Sequence, residues 1–483
     1  MHAPLRNCCC QTARLFHRRL PASQLCSRQS ATDRLHAGAR SHIRTLAAGQ
    51  SSNMHTQSEQ LLSVAPMMDW TDLHFRQLCR LLSKHTWLYT EMVVDQTLLH
   101  NPNTDRFLWF PPEQHPIVCQ LGGSNPQTLA AAAKVVARYG YDEINLNCGC
   151  PSERVAGAGC FGAAMMLQPA LVAQCCQAMQ DAVPHIPVTV KCRLGVDETD
   201  SYEALCTFIR TVSEQSSVTH FIIHCRKCML SGLNPAQNRT IPPLRREWAW
   251  ALKRDFPHLQ FSLNGVVQNC QEAAAILDHR QDGVEGGGSM HGVMIGRQAF
   301  YQTWDCLADA DRSVFGARAN PALNRRQVLT EYAAYGDSVL GKWFVRENGQ
   351  QNPNVRTVFK PLLNMFHGER GSKRWKQVVD AKFKTASSVL GLVKDTLECF
   401  PDEVLDAPPK QHPVYEWQPQ PDSIPEPPTK KQCCGDLRNS RLELLAKQLV
   451  TEQGVDDDRG VDSHEDQVLL HAEDCAVAAP VTA

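Results

Sequence analysis

Between residues 61 and 300, short apolar runs end in polar side chains suited to chemistry more than to packing. Lys191 and His224 close the runs PVTVKCRLG and HFIIHCR. At such ends they face a partly dry pocket, where they can hold an electron-rich ring or neutralise charge growing on a carbonyl oxygen. Gln120 and Asn147 each offer a donor and an acceptor, which suits reading the edge of a planar heterocycle. Cys150, in CGCPS, stands between a glycine turn and a proline. A thiol with the ordinary pKa of about 8.5 can give up a proton at neutral pH, so Cys150 is a candidate proton donor or nucleophile. Asn264-Gly265 and Gly296-Arg297 close the last two runs, where glycine lets backbone N–H groups approach a phosphate and arginine adds a fork of charged donors. No GxGxxG stands in a strand-to-helix setting and no Walker loop is present, so these ends suit a mononucleotide such as FMN better than a dinucleotide.

Eight β-rich runs must position these residues: 61–67, 87–92, 116–123, 143–149, 187–195, 220–226, 260–266 and 292–297. Most are separated by segments of helical spacing, such as NPQTLAAAAKVVARYG and SYEALCTFIRTVSEQ. Asn125-Pro126 and Asp200-Ser201 read as helix starts, and Gly140 as a helix end. Alternating strands and helices imply a parallel sheet, and eight repeats over this length fit a closed (β/α)8 TIM barrel. A doubly wound open sheet is the competing arrangement. In a barrel, Pro66, Met67, Met68, Glu91, Gln120, Asn147, Cys150, Lys191, His224, Asn264, Gly265, Gly296 and Arg297 all fall at the C-terminal mouth, where catalytic residues sit. Singly, each has a plainer explanation: a strand-end lysine is usually solvated, and a histidine is usually a satisfied structural group. Their recurrence at successive strand ends is what singles them out.

The whole chain has 483 residues, 43% of them hydrophobic and 20% charged, with a formal net charge of −1. That balance excludes a wholly disordered chain and a uniformly basic nucleic-acid coat. No apolar run is long enough for a membrane span. The 21 cysteines are odd in number and scattered, unlike a secreted disulfide framework. Cys225-x-x-Cys228 and Cys148-x-Cys150 have metal-like spacing but no matching second pair, so no metal is expected. Charge divides the chain unevenly: residues 1–58 carry +7, 320–400 carry +6, and 401–483 carry −10. The reading is a disordered N-terminal segment 1–58, a catalytic barrel 59–319, a smaller helical domain 320–400 and a disordered acidic tail 401–483, with one short helix at most over 440–450. The first segment is Arg-rich and acid-poor, as in a chloroplast or mitochondrial transit peptide; a start at Met54 would leave the protein in the cytoplasm.

The stretches SVAPMMDWTDLHFR, LYTEMV, QLGGSNP, GYDEINLNCGCPSERV, IPVTVKCRLGVDETDSYE, FIIHCRKCMLSGLNPAQNRTIPPL and LKRDFPHLQFSLNG resemble, in order, the tRNA-dihydrouridine synthases, specifically the bacterial A-type (20/20a) branch. The resemblance spans residues 61–300 and favours the barrel. It implies FMN held by Pro66, Met67, Met68, Gln120, Lys191, His224, Asn264, Gly265, Gly296 and Arg297, with NADPH as reductant. It places the general acid on Cys150 and a uracil contact on Asn147. It implies tRNA contacts at Arg239 and on the basic helical region, where Arg356, Lys360, Lys373, Arg374 and Lys376 are candidates. The expected enzyme reduces the C5–C6 bond of D-loop uridines, at positions 20 and 20a, as a monomer.

Three departures stand out. Val266 replaces the second glycine of the family's Asn-Gly-Gly, where it would crowd the flavin phosphate. Ala236 takes a position that is basic in the family, although Arg239 keeps the next. EGGGSMHGV (285–293) reads as an insertion before strand eight, expected beside the phosphate corner. Two other functions remain open from the residues: a flavoprotein acting on a free pyrimidine, and a tRNA binder without catalysis.

Overall fold

The computed structural model describes residues 59–151, 161–280, 288–347, 349–411, 413 and 425–427. The Arg-rich segment 1–58, the short helix expected at 440–450 and residues 285–287 of the inserted stretch lie outside them.

The eight apolar runs form eight parallel strands: β1 Leu62–Val64, β2 Trp87–Val94, β3 Ile117–Gly122, β4 Glu143–Cys148, β5 Val188–Arg193, β6 His220–His224, β7 Gln260–Asn264 and β8 Gly292–Ile295. They pair in chain order and close, β1 lying beside β8 with Leu62 opposite Val293. This is a TIM barrel and not an open sheet. The helices between strands start where short polar side chains can cap them. Asn125 Oδ1 accepts from the N–H groups of Gln127 and Thr128, and Ser201 Oγ from that of Ala204. The helix Tyr202–Gln215 then turns Leu205, Phe208, Ile209 and Val212 into the layer between barrel and helices.

Period-two alternation puts Glu143, Asn145 and Asn147 of β4 on one face, and Thr189, Lys191 and Arg193 of β5 on one face. Inside the barrel, apolar packing is confined to a small group, Ala65, Trp87, Tyr89, Val118, Ile222 and Met294. Polar side chains occupy much of the rest.

The inserted stretch corrects an expectation. Its last two residues begin β8, and the segment ahead of β8 lies at the N-terminal mouth, opposite the phosphate corner. There the His291 N–H donates to Phe261 O at 2.9 Å and the His291 ring packs against His220. A Cβ at Gly292 would stand 2.3 Å from the Gln60 carbonyl. Connections entering a strand are at the mouth remote from the catalytic loops.

After the barrel come the helices Arg325–Val339, Val355–Phe359, Ser372–Lys382 and Val389–Lys394. The first packs on the barrel helix Leu73–Leu82, with His74 Nδ1 and the Tyr335 hydroxyl 3.0 Å apart. Arg325 is buried: Nε donates to Met365 O at 3.0 Å, Nη2 to Glu369 Oε1 at 2.9 Å, and its guanidinium lies over Trp304. Packing continues into the stretch first assigned to the acidic tail. Helix Asp402–Leu405 buries Leu405, and Asp402 and Asp406 both pair with Arg326.

Candidate active site

The C-terminal ends of the strands surround one cavity of about 1130 Å3. Pro66, Met67, Met68, Gln120, Asn147, Cys150, Lys191, His224, Arg239, Asn264, Gly265, Gly296 and Arg297 all line it. Arg356 and Arg374 are exposed on the later helices and do not. Arg356 instead pairs with Asp380 at 2.9 Å. Lys360 reaches the rim, where its Nζ donates to Asp69 O at 2.8 Å.

Each wall is built locally. After β1, the Met67 N–H donates to Thr71 Oγ1 at 2.9 Å, and Asp69, at φ 65°, donates its N–H to Glu91 Oε1. Burial, helped by Asp72, pushes the Glu91 carboxyl up to about 7. After β4, Asn147 Oδ1 accepts from the N–H groups of Gly149 and Cys150 at 3.0 and 2.9 Å, so the turn carrying Cys150 is tied to its own strand. Cys148, Cys192, Cys225 and Cys228 are buried, and burial pushes their thiols up, to about 12 for Cys192 and Cys225. Cys150 is half-buried and faces the cavity.

Lys191 Nζ donates to Asn264 Oδ1 at 3.0 Å, and Asn264 Nδ2 donates to Met294 O at 2.8 Å. This joins β5, β7 and β8 beneath the cavity. Burial brings the Lys191 ammonium down to about 8. The His224 pKa also lies well below the ordinary value, through burial and then the charges of Arg193, Lys191, Arg226 and Arg297. Its Nδ1 is buried without a hydrogen-bond partner among the described residues, as is Arg239 Nε. Among the described residues, Lys191, Arg239 and Arg297 have no carboxylate in ion-pair range.

These features test the fit of a flavin mononucleotide. Cations without counter-ions among the described residues call for an anion, orphaned buried nitrogens call for hydrogen-bond partners, and glycines at 265 and 296 leave the backbone open at the phosphate corner. The volume exceeds what one ordinary small ligand fills, which leaves room for a second planar ring. The residues fit the group. Val266 remains the poor element: a β-branched residue at φ 55° on the cavity wall, 41% exposed.

Arg193 escaped the sequence reading. It is buried on the same face of β5 as Lys191. Nε donates to Gly149 O at 2.8 Å, and Nη1 donates to Lys227 O and Asn238 O at 3.0 and 3.1 Å. It thus clamps the Cys150 turn to the long loop after β6. The signal was present, since residues two apart on a strand share a face. That loop is folded around Asn238, whose Nδ2 donates to Met229 O and Leu233 O and whose Oδ1 accepts from the Met229 N–H.

Residues 63–405 match the family Dihydrouridine synthase (Dus). The chain is 42% identical over 343 residues to the tRNA-dihydrouridine(20/20a) synthase of Vibrio vulnificus, covering 71% of this chain and 98% of that protein. It is 41% identical over 359 residues to the protein of that name from Escherichia coli K12, covering 74% and 96%. The Vibrio cholerae relative is 43% identical over 344 residues, covering 71% and 98%.

Proposed function

From the premise that the chain belongs to the dihydrouridine synthase family, oxidoreductases of tRNA uridines, we propose that it reduces uridines 20 and 20a of the tRNA D-loop, using FMN and NADPH. The observation that carries the reading is the convergence in one cavity of Cys150, Asn147, Lys191 and His224 with Arg239 and Arg297, which have no carboxylate partner among the described residues.

A flavin held by Gln120, Lys191, Asn264 and Arg297 would supply the hydride for C6 of the uracil, with NADPH as its reductant. Everything else falls to side chains of this chain. Cys150 gives its Sγ proton to C5, so that two hydrogens are added across the double bond. Asn147 reads the uracil edge while holding the Cys150 turn. Lys191 and His224 stabilise negative charge on the ring oxygens, and act strongly because they are dry. Arg297, with the backbone at Gly265 and Gly296, holds the cofactor phosphate. The target base must leave its stack to enter, at a cost of a few kcal/mol. Phosphate contacts from Arg239 and from Arg356, Lys360 and Arg374 offset that cost. The exposed Arg356–Asp380 pair yields readily to a phosphate, since such pairs contribute little.

The test uses tRNA transcripts lacking dihydrouridine. With NADPH, the purified protein should convert uridine to a nucleoside heavier by two hydrogens at positions 20 and 20a, and should leave free uridine untouched. Turnover of free uridine at a comparable rate would reassign the cavity to a small substrate. We extend the reading to residues 1–58 as an organelle-targeting segment. A fluorescent reporter bearing them should leave the cytosol; one that stays there would refute the extension.

A further inference from the structure

Below the cavity, a directed chain of hydrogen bonds runs through the barrel interior. Its direction follows from donors that cannot reverse. The backbone N–H groups of Gly149 and Cys150 both donate to Asn147 Oδ1. Asn147 Nδ2 is therefore the donor to Gln120 Oε1, at 2.7 Å. The same logic passes inward. Gln120 Nε2 donates to Asn145 Oδ1 at 2.8 Å, and Asn145 Nδ2 donates to Thr189 Oγ1 at 2.9 Å. The Thr189 hydroxyl then donates to Glu143 Oε1 at 2.6 Å. A second arm arrives from the N-terminal mouth, where Gln60 Nε2 donates to the Tyr89 hydroxyl at 2.9 Å and Tyr89 donates to Glu143 Oε1 at 3.2 Å. Gln120, Glu143, Asn145, Thr189 and Tyr89 are all buried.

Both arms deliver donors and neither supplies an acceptor at the meeting point, so only an oxygen that accepts twice can close the chain. A carboxyl does this; an aliphatic side chain of similar size would leave two buried hydroxyl hydrogens without an acceptor. Packed hydrocarbon could fill the barrel as stably, so this many buried polar groups points to a role other than stability. The two ends of a carboxamide are nearly the same shape, and its partners alone decide which end faces where.

We propose that Glu143 is a positioning residue for the reaction: as the common acceptor at the far end of the chain, it holds the Gln120 and Asn147 amides in the one orientation that the Gly149 and Cys150 N–H groups require, and so steadies the turn bearing Cys150. This rests on the reading of the cavity as the flavin and uracil site. Glu143 lies at the start of β4, while Asn147 lies at the other end, so it acts only through the intervening side chains.

Thr189→Val removes the linking hydroxyl and keeps the shape; Thr189→Ser restores the hydroxyl. Each is purified with its flavin, and its visible flavin spectrum, kcat for uridine reduction and KM for tRNA are measured. Thr189→Val should lose roughly 10- to 100-fold in kcat, with an altered flavin spectrum and tRNA KM within about twofold of wild type. Thr189→Ser should recover most of the loss. If Thr189→Val fails to fold, Thr189→Ala carries the test: it removes the same hydroxyl with a smaller side chain, and should alter spectrum and kcat in the same sense. A folded Thr189→Val with wild-type spectrum and kcat would overturn the inference, and so would a Thr189→Ser as impaired as Thr189→Val. In the fallback arm, so would a wild-type Thr189→Ala. Wild-type protein that neither holds flavin nor reduces tRNA would instead overturn the parent reading, and this inference with it.

Discussion

Lys191 and Val266 show how single residues set the conditions of the site. The Lys191 ammonium is useful only while charged, and burial brings its pKa down to about 8. The charged form therefore predominates below that pH and is lost above it. Flavin affinity and turnover should both fall as pH rises through about 8, although a bound phosphate will push the step upward. Lys191→Arg keeps its charge at every accessible pH and should abolish the step, a difference read by flavin fluorescence titration across pH. A wild-type step unchanged in Lys191→Arg would assign it to another group. Val266 sits at φ 55°, where a β-branched side chain is strained. Val266→Gly should raise stability by about 1 kcal/mol in thermal unfolding, the relief of strain exceeding the added freedom of the unfolded chain. Equal or lower stability would mean that the surrounding loop removes the strain.

At the scale of elements, the loops after β4 and β6 act as one unit because Arg193 bonds both. Arg193→Met should strand three carbonyl acceptors in a buried site, costing about 2–4 kcal/mol in denaturant unfolding, and should lower kcat by loosening the Cys150 turn. Arg193→Lys should rescue little, since an ammonium lacks the planar fork that spans three acceptors. Equal kcat in Arg193→Met and wild type would separate the clamp from catalysis. Much of this scale was legible in the sequence. All eight strands fall on the apolar runs, because barrel strands are buried on both faces and bounded by polar turns. Asn125 and Ser201 were readable as caps because their side chains act on their own backbone. Arg193 and Glu143 were missed: the strand period places Arg193 beside Lys191, but the partners of both lie on other strands and loops that only the fold brings near. The segment before β8 was misplaced for a different reason: nearness in sequence to Gly296-Arg297 hides the full length of a strand between them.

The whole molecule joins a barrel that carries the chemistry to helices that follow it. Lys360 touches the cavity rim at Asp69, so the later helices bear directly on the loop after β1. Arg325 ties those helices to Trp304, and its Nη1 donates to Val404 O at 3.3 Å. Composition alone put the end of the packed region at residue 400, because charge and proline density change there. The structure extends it, with Leu405 buried and Lys410 3.3 Å from Glu369. Truncation after residue 411 should therefore leave melting temperature and turnover unchanged. Truncation after residue 400 should lower stability by about 2 kcal/mol or more, from the loss of Leu405 and of the acceptor for Arg325. Equal stability of the two truncations would show that the helix Asp402–Leu405 contributes nothing.

The Cys150→Ala variant tests most directly whether a cavity thiol completes the reduction of a tRNA uridine. Purified wild type and variant, each with bound flavin, would be given NADPH and then tRNA lacking dihydrouridine, and nucleosides would be followed by mass spectrometry. Flavin reduction by NADPH should be the same in both, while dihydrouridine formation should fall by about 10²- to 10⁴-fold in Cys150→Ala, the usual contribution of a positioned general acid. Dihydrouridine formed at the wild-type rate by Cys150→Ala would contradict the account and place the proton donor elsewhere in the cavity.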